Sequence, residues 1–537
     1  MAQSNKLSNI SILNKDCLET IFYQCTFDDD PSHGCNLYLS LADRGRTLVN
    51  LSHVCKLWRA IVLSLGQLWA GVVTAFPHGF LARLERAREL PLAFGPHENW
   101  DHEAWSTQCS YLSSHIERFA SILCTCSGRQ RLSWIEILSE KSLPLLRQAG
   151  FTGKELGYYP DISFWADDLR DLHLHDFTMH FSAPKLTRLI IHMPFAWQVL
   201  RQRKSQLGTR VEVTIPPLPL IELLNATPFL THLELNHCLS SEHWNVQDIG
   251  YTVTLECLQS LVIGAEFCGH IATFLSSMVI PRETSIRISP FYVQHAEDLR
   301  HLCQSLAPYM RLPLYDTVCI TTHCDFGYDT PFFELTRHEP CEASISLYIG
   351  ESRAEVSSIS ICQAIFDELP LSVIRHLRVY QPVTDESFSA VDTGAVFHTA
   401  ALSDSVETLR YDPENSLILL SGQPSPSNYG TGLLPDFILD YPDAYPALRH
   451  IHISSHASLY KTVVTPEAMF DVKRWLEARI RKGLAIQSVK LTGIVYEGAQ
   501  SGEAADADLF DPLRSLVEFV DERHLSDRGG TRIRRGI

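Results

Sequence analysis

A short apolar pattern, apolar-x-x-apolar-x-apolar, recurs along most of this chain and constrains its fold more than any other feature. Strict copies read Leu169-Leu172-Leu174, Leu186-Leu189-Ile191, Leu230-Leu233-Leu235, Leu258-Leu261-Ile263, Ile374-Leu377-Val379, Val406-Leu409-Tyr411, Leu448-Ile451-Ile453 and Ile486-Val489-Leu491. Looser copies stand at Val211-Val213-Ile215, Ile286-Ile288, Val318-Ile320 and Ile345-Leu347. The last two apolar residues of each copy are two positions apart, the period of a strand with one buried face. Successive copies lie mostly about 20 to 40 residues apart, room for one strand and a returning helix or loop. A unit of that size cannot bury its own apolar face, so the copies have to stack on one another. The expected fold class is α/β: an irregular solenoid of parallel strands, with returning helices such as 220–224, 271–279 and 296–309. A Rossmann-like sheet is the rival arrangement, but no Gly-rich phosphate loop follows any of these strands.

The N-terminal region has a different period. Val54, Leu57, Trp58, Ile61, Val62 and Leu65 recur at three- and four-residue steps, which predicts a helix with one wide apolar face, Ser52 as its N-cap and Gly66 as its end. Ile10, Leu13, Cys17, Leu18, Ile21 and Phe22 repeat that spacing and predict a second helix over 10–25. Two or three short helices cannot bury so much apolar surface alone, and the excess predicts a docked protein. A polar stretch, about 27–47, separates the two halves as an inserted loop.

These residues resemble the F-box, a docking module. The family opens with Leu-Pro, an apolar pair and Ile-Phe, followed later by Val-Cys-x-x-Trp-Arg and Leu-Trp. Here the corresponding residues are Leu13-Asn14, Cys17-Leu18, Ile21-Phe22, Val54-Cys55-Lys56-Leu57-Trp58-Arg59 and Leu68-Trp69, with Asn14 in place of the Pro. The resemblance implies that Leu13, Leu18, Ile21, Phe22, Val54, Cys55 and Trp58 face a Skp-type adaptor of a cullin-RING ubiquitin ligase. Phe80 to Leu92 with its Leu-Glu-Arg and Pro-Leu steps, the Trp134-Ile135-Glu136-Ile137-Leu138 segment read as a strand, and a helix and strand over Met469 to Leu491 extend the resemblance to most of the chain. In that order they are similar to the large basidiomycete-type fungal family of F-box proteins with leucine-rich repeats. The resulting organisation is an F-box-like domain over 1–75, linking helices (one over Tyr111 to Cys124) and the first strand over 76–165, the repeat array over 166–495 and a polar tail over 496–537.

Composition fits an adaptor. The chain has 537 residues, 45% of them hydrophobic, with 45 basic against 62 acidic residues for a net charge of −17. That balance disfavours nucleic acid or an anionic membrane as partner. The arginines Arg528, Arg532, Arg534 and Arg535 fit either a solvated terminus or a basic import or phosphate patch. The polar N-terminus and the lack of a long apolar run predict an intracellular protein, cytoplasmic or nuclear. Fifteen cysteines without a regular framework are expected as free thiols, with Cys17, Cys55, Cys303 and Cys362 on apolar faces.

Between the buried positions of each repeat stand polar residues that face the other side of the sheet. They include Asp171, His173 and His175; Arg188 and His192; His232, Glu234 and Asn236; His376, Arg378 and Tyr380; and His450 and His452. Among them His173, His175, His192, His232, Glu234, His376, Arg378 and His450 are the expected target-binding set. A histidine-rich face suits an acidic or phosphorylated segment held more tightly near pH 6, and equally an ordinary solvated sheet face. Paired His173/His175, His450/His452 and Cys124/Cys126 lack a third and fourth zinc ligand at a familiar spacing. No catalytic elbow, P-loop or metalloprotease motif is present, so neither enzyme activity nor a cofactor is expected. The expected function is a substrate-recognition subunit of a Skp-cullin-F-box ligase; the alternative is a non-catalytic leucine-rich-repeat scaffold that recruits no ligase.

Overall fold

The structure is a computed structural model and describes residues 13–27, 40–76, 78–95, 102–124, 133–193, 214–239, 252–310, 315–325, 328–336, 344–349, 351–352, 358–368, 371–382, 404–414, 434, 436–439, 441–455, 466–493 and 513–523. The fold is mixed α/β and its strand pairings are mostly parallel. The chain divides into two compact units, Met1–Gln259 with Ser277–Pro281, and Ser260–Ser276 with Arg282–Ile537.

The first unit opens with helices α1 (Lys15–Phe27), α2 (Ser40–Val54), α3 (Lys56–Ser64), α4 (Gly66–Gly71) and α5 (Phe80–Ala87). Asn14 caps α1: its Oδ1 accepts from the Cys17 backbone N–H at 2.8 Å. Leu18, Phe22, Leu48, Ile61, Val62, Leu68, Trp69, Val72 and Ala75 form one core, with Ile21, Leu51, Trp58, Leu65 and Phe76 packed against it. Phe22 meets Trp58 edge to face at 4.8 Å, and the Trp69 indole donates to the Val62 carbonyl at 2.9 Å.

Two expectations fail here. Ser52 is no N-cap; it lies inside α2 and donates to the Val49 carbonyl. Cys55 is the cap instead, its Sγ accepting from the Trp58 N–H at 3.4 Å. The supposed loop over 27–47 is helical from Ser40 onward, and residues 28–39 lie outside the described residues.

Arg83 of α5 closes this region. Buried at 6% exposure, it donates to the carbonyls of Val73 (2.8 Å), His78 (2.7 Å) and Phe76 (2.6 Å). Burial pushes its pKa down to about 10.

Next come β1 (Leu92–Phe94), α6 (His102–Ser114), β2 (Phe119–Cys124), α7 (Trp134–Leu138), β3 (Lys141–Ser142), β4 (Gln148–Trp165), β5 (Asp171–Ser182), β6 (Arg188–His192), α8 (Pro217–Asn225) and β7 (His232–Asn236). Strands β1, β2, β4, β5, β6 and β7 pair in that order, all parallel. The expected helix over Tyr111 to Cys124 is two elements: α6 stops at Ser114, and Phe119–Cys124 pairs with both β1 and β4. The expected strand at Trp134 is helix α7, because the buried residues Trp134, Ile137 and Leu138 have i, i+3, i+4 spacing. Strand β4 was not anticipated; its register slips twice in the stretch that contains Gly157, whose φ is 120°.

The second unit contains β8 (Ser260–Phe267), α9 (Cys268–Ser276), β9 (Ser285–Val293), α10 (Ala296–Met310), β10 (Thr317–Asp325), β11 (Tyr328–Thr336), β12 (Ile345–Tyr348), α11 (Ser358–Glu368), β13 (His376–Pro382), β14 (Thr408–Glu414), β15 (His450–Ser455), α12 (Pro466–Arg481), β16 (Ser488–Gly493) and β17 (Glu518–Arg523). From β10 the sheet runs through β13, β14, β15, β16 and β17, all parallel.

The expectation of parallel pairing throughout fails at β11, which runs antiparallel to both β10 and β12. Two residues join Asp325 to Tyr328, enough for a hairpin and far too few for the crossover a parallel partner needs. The polar tail expected over 496–537 also contributes to the sheet, since Glu518–Arg523 pairs with β16. Arg528, Arg532, Arg534 and Arg535 lie outside the described residues.

Several strict copies of the pattern share the same backbone bonds. The leading apolar residue turns the chain into its strand, as in the bonds from Leu169 N to Ala166 O, Leu186 N to Ala183 O, Leu230 N to Thr227 O and Leu448 N to Tyr445 O. The next residues reach the neighbouring copy: Arg188 N to Arg170 O and His232 N to Thr187 O in the first unit, Thr408 N to Arg375 O and His450 N to Glu407 O in the second.

Candidate functional site

The exposed apolar residues of the N-terminal helices are not the set expected from the sequence. Leu18 and Phe22 are buried at 1% and 0%, and Ile21 and Trp58 are partly buried against the same core. The spacing that placed them on one face marks the face by which α1 packs on its neighbours, not a free one. Of the seven residues expected to meet an adaptor, Leu13, Val54 and Cys55 are exposed. Tyr23 at 52% and Leu57 at 56% join Leu13 at 38% and Val54 at 60%, although sequence reasoning had not put Tyr23 forward and had assigned Leu57 to the buried stripe. Both directly adjoin an aromatic that packs on the core, Phe22 and Trp58, and one step around a helix carries a side chain about 100° away from its neighbour. Cys17 and Cys55, expected on apolar faces, are exposed, whereas Cys303 is buried.

Parallel pairing aligns the polar residues of the first unit in levels. Asp171, Arg188 and His232 share one level, His173, Ile190 and Glu234 the next, and His175, His192 and Asn236 the third. Glu234 is the hub: its Oε1 lies 2.8 Å from His192 Nε2 and accepts from Asn236 Nδ2 at 2.9 Å, while its other oxygen is 3.8 Å from His232 Nε2. The same His192 nitrogen lies 2.8 Å from Asn236 Nδ2, so the three side chains form one closed cluster. The hydrogen bond from His192 and the proximity of His232 hold the Glu234 carboxyl well below the usual carboxylate range. His175 sits edge to face on His192 at 4.8 Å, and burial followed by the neighbouring His192 and His173 pushes its pKa down to about 4. His175 is therefore neutral at pH 6, against the expectation for the whole histidine set. His173, expected to face solvent, is 8% exposed with its Nε2 2.9 Å from Asp171 Oδ1, because Gly150 and Ile190 flank it and offer nothing polar.

In the second unit one level reads Thr317, His376, Thr408, His450, Ser488 and Glu518, and the next reads Cys319, Arg378, Arg410, His452, Lys490 and Val520. His376 and Arg378 are half-buried and His450 is exposed, its Nδ1 2.9 Å from Ser488 Oγ. His452 Nε2 lies 2.7 Å from Thr492 Oγ1, and Arg410 donates to Ser454 Oγ at 3.1 Å. Arg410 and Lys490 were missed in the sequence because alternation alone marks them as outward-facing without revealing that the register puts them beside Arg378. The eight residues expected to bind a target thus fall into two groups, one on each unit's sheet.

Among the described residues, no group of three or more His, Cys, Asp or Glu side chains is placed to hold a metal ion. Among them also, no helix is long and apolar enough to cross a membrane. No family model matches the chain, and no curated protein matches it significantly.

Proposed function

We propose that this chain is a substrate-recognition subunit of a Skp-cullin-F-box ubiquitin ligase, with an F-box-like module over α1 to α4 and an irregular leucine-rich-repeat solenoid in the sheets. The observation that carries the reading is a helical module with a complete core of its own that still leaves Leu13, Tyr23, Val54 and Leu57 in water. Large apolar side chains exposed on a small folded module favour a protein partner. In this reading the module docks a Skp-type adaptor, the polar face of the repeats holds a target, and the chain itself catalyses nothing. Its contribution is proximity, since tethering raises the effective concentration of target lysines near the charged ubiquitin carrier.

A second reading, a repeat scaffold without ligase recruitment, is favoured by the burial of Leu18 and Phe22, which leaves fewer side chains for docking. A pull-down with a Skp-type adaptor separates the two, comparing the wild-type chain with Val54→Asp and Leu57→Asp. Recovery by the wild type and loss in both variants supports the first reading. Equal recovery of all three contradicts the proposed docking face, and no recovery by the wild type leaves the scaffold.

A further inference from the structure

One cation on the polar sheet face of the first unit is left without a counter-ion. Arg188 of β6 stands in register between Asp171 of β5 and His232 of β7. It is half-buried, its Nε is shielded from solvent, and among the described residues its guanidinium has no hydrogen-bond or ion-pair partner. The carboxylates beside it are engaged elsewhere. Asp171 Oδ1 lies 2.9 Å from His173 Nε2, and Glu234 Oε1 lies 2.8 Å from His192 Nε2 and accepts from Asn236. His232 repeats the pattern: its Nε2 is also shielded, has no hydrogen-bond partner, and keeps 3.8 Å from Glu234, too far for a hydrogen bond. A shielded donor that lacks an acceptor costs the free chain stability, and two on neighbouring strands call for an acceptor supplied from outside. Both side chains keep part of their surface in water, His232 25% of it, and a rotamer change of Arg188, whose guanidinium nothing holds, opens both donors to a visitor.

The surroundings select the visitor. Neighbouring strands stand about 4.8 Å apart, close enough for one small anion to touch both side chains. A planar carboxylate matches the guanidinium fork and still has a lone pair for the imidazole N–H. A dianionic phosphate would bring twice the charge into a site with Asp171 on one side and Glu234 on the other, and the repulsion grows with that charge. An uncharged amide would leave the cation unpaired. We propose that Arg188 and His232 seat one aspartate or glutamate side chain of a target protein, the guanidinium holding its two oxygens and His232 donating from Nε2. The proposal rests on the reading of the polar sheet face as the target surface and names the chemistry of one anchor on that target.

The test is saturation-transfer NMR on the full-length chain, titrating acetyl-Gly-Xaa-Gly-amide peptides in which Xaa is Glu, phosphoserine or Gln. The Glu peptide is expected to bind at least about fivefold more tightly than either of the others. Arg188→Met removes the charge and Arg188→Lys keeps the charge without the fork; each is expected to lose at least about fivefold in affinity for the Glu peptide, after melting curves confirm that it folds. Equal binding of the Glu and Gln peptides, tighter binding of the phosphoserine peptide, no measurable binding of any peptide, or an unchanged affinity in the Arg188 variants would overturn the proposal. The peptide comparison uses the wild-type chain, so it decides even if a variant fails to fold. Recovery of the adaptor without Glu-peptide binding sinks this inference alone, while Glu-peptide binding without adaptor recovery sinks the ligase reading alone.

Discussion

Individual side chains in this protein do work that their residue type alone does not announce. Arg479 is fully buried and donates to four backbone carbonyls: Leu484 at 3.0 Å, Pro442 at 2.8 Å, Ala444 at 2.7 Å and Tyr445 at 3.0 Å. Its guanidinium also lies 5.1 Å from the centre of the Trp475 ring. A lysine supplies one point charge where this site uses a planar fork, so Arg479→Lys is expected to cost about 2 to 4 kcal/mol in urea unfolding. A change below 0.5 kcal/mol would show that the carbonyls find other donors. His175 gives the pH prediction. Its folded pKa, about 4, lies below the ordinary 6.5, so between those values the unfolded chain binds the extra proton. Stability is retained above pH 6.5 and lost as the pH falls toward 4, by at most about 3 kcal/mol and about 2 kcal/mol once partial exposure is allowed for. His237, also depressed to about 4, adds a second loss of the same sign. His175→Gln is expected to flatten part of this slope in melting curves taken from pH 7 to pH 5; an unchanged slope would remove His175 as a source.

At the scale of elements, the helical module separates packed apolar side chains from exposed ones. Phe22→Ala opens a cavity beside Trp58 and is expected to destabilise the module by about 3 to 5 kcal/mol, whereas Val54→Asp, at a side chain 60% exposed, is expected to change stability by less than about 1 kcal/mol. Circular dichroism melts of the two variants check this, and equal losses would mean that Val54 is part of a core. The repeat strands were legible in advance because a two-residue apolar period on a stacked unit permits few alternatives: Leu172 and Leu174, or Leu409 and Tyr411, face the core as that period requires. Strand β4 was not legible, since Gly150, Gly157 and Pro160 interrupt its pattern and parallel partners supply what its own sequence does not. Helix α7 was misread because five residues of Trp, Ile, Glu and Leu satisfy both periods, and the surrounding fold decides between them. The exposed apolar face proposed for docking was half legible: spacing found the apolar stripe of α1 but not that the helices use it on each other, which left Tyr23 and Leu57 outside. The level that holds Arg378, Arg410, His452 and Lys490 was invisible for another reason, because strand register alone brings them together from four distant segments.

At the scale of the whole molecule, the account rests on one chain offering two kinds of surface: apolar side chains on a helical module and polar ladders on parallel sheets. The two make different demands on conditions. Apolar docking is expected to tolerate salt, whereas contacts made to the polar ladders are expected to weaken as salt rises. The central claim is the adaptor interaction, and the most direct measurement is the molar mass of the full-length chain purified with a Skp-type adaptor, read by light scattering during size-exclusion chromatography. The account predicts a single species with the mass of one 60.7 kDa chain plus one adaptor, lost in Leu57→Asp. Elution of the wild-type chain alone, at 60.7 kDa with the adaptor in a separate peak, would contradict it.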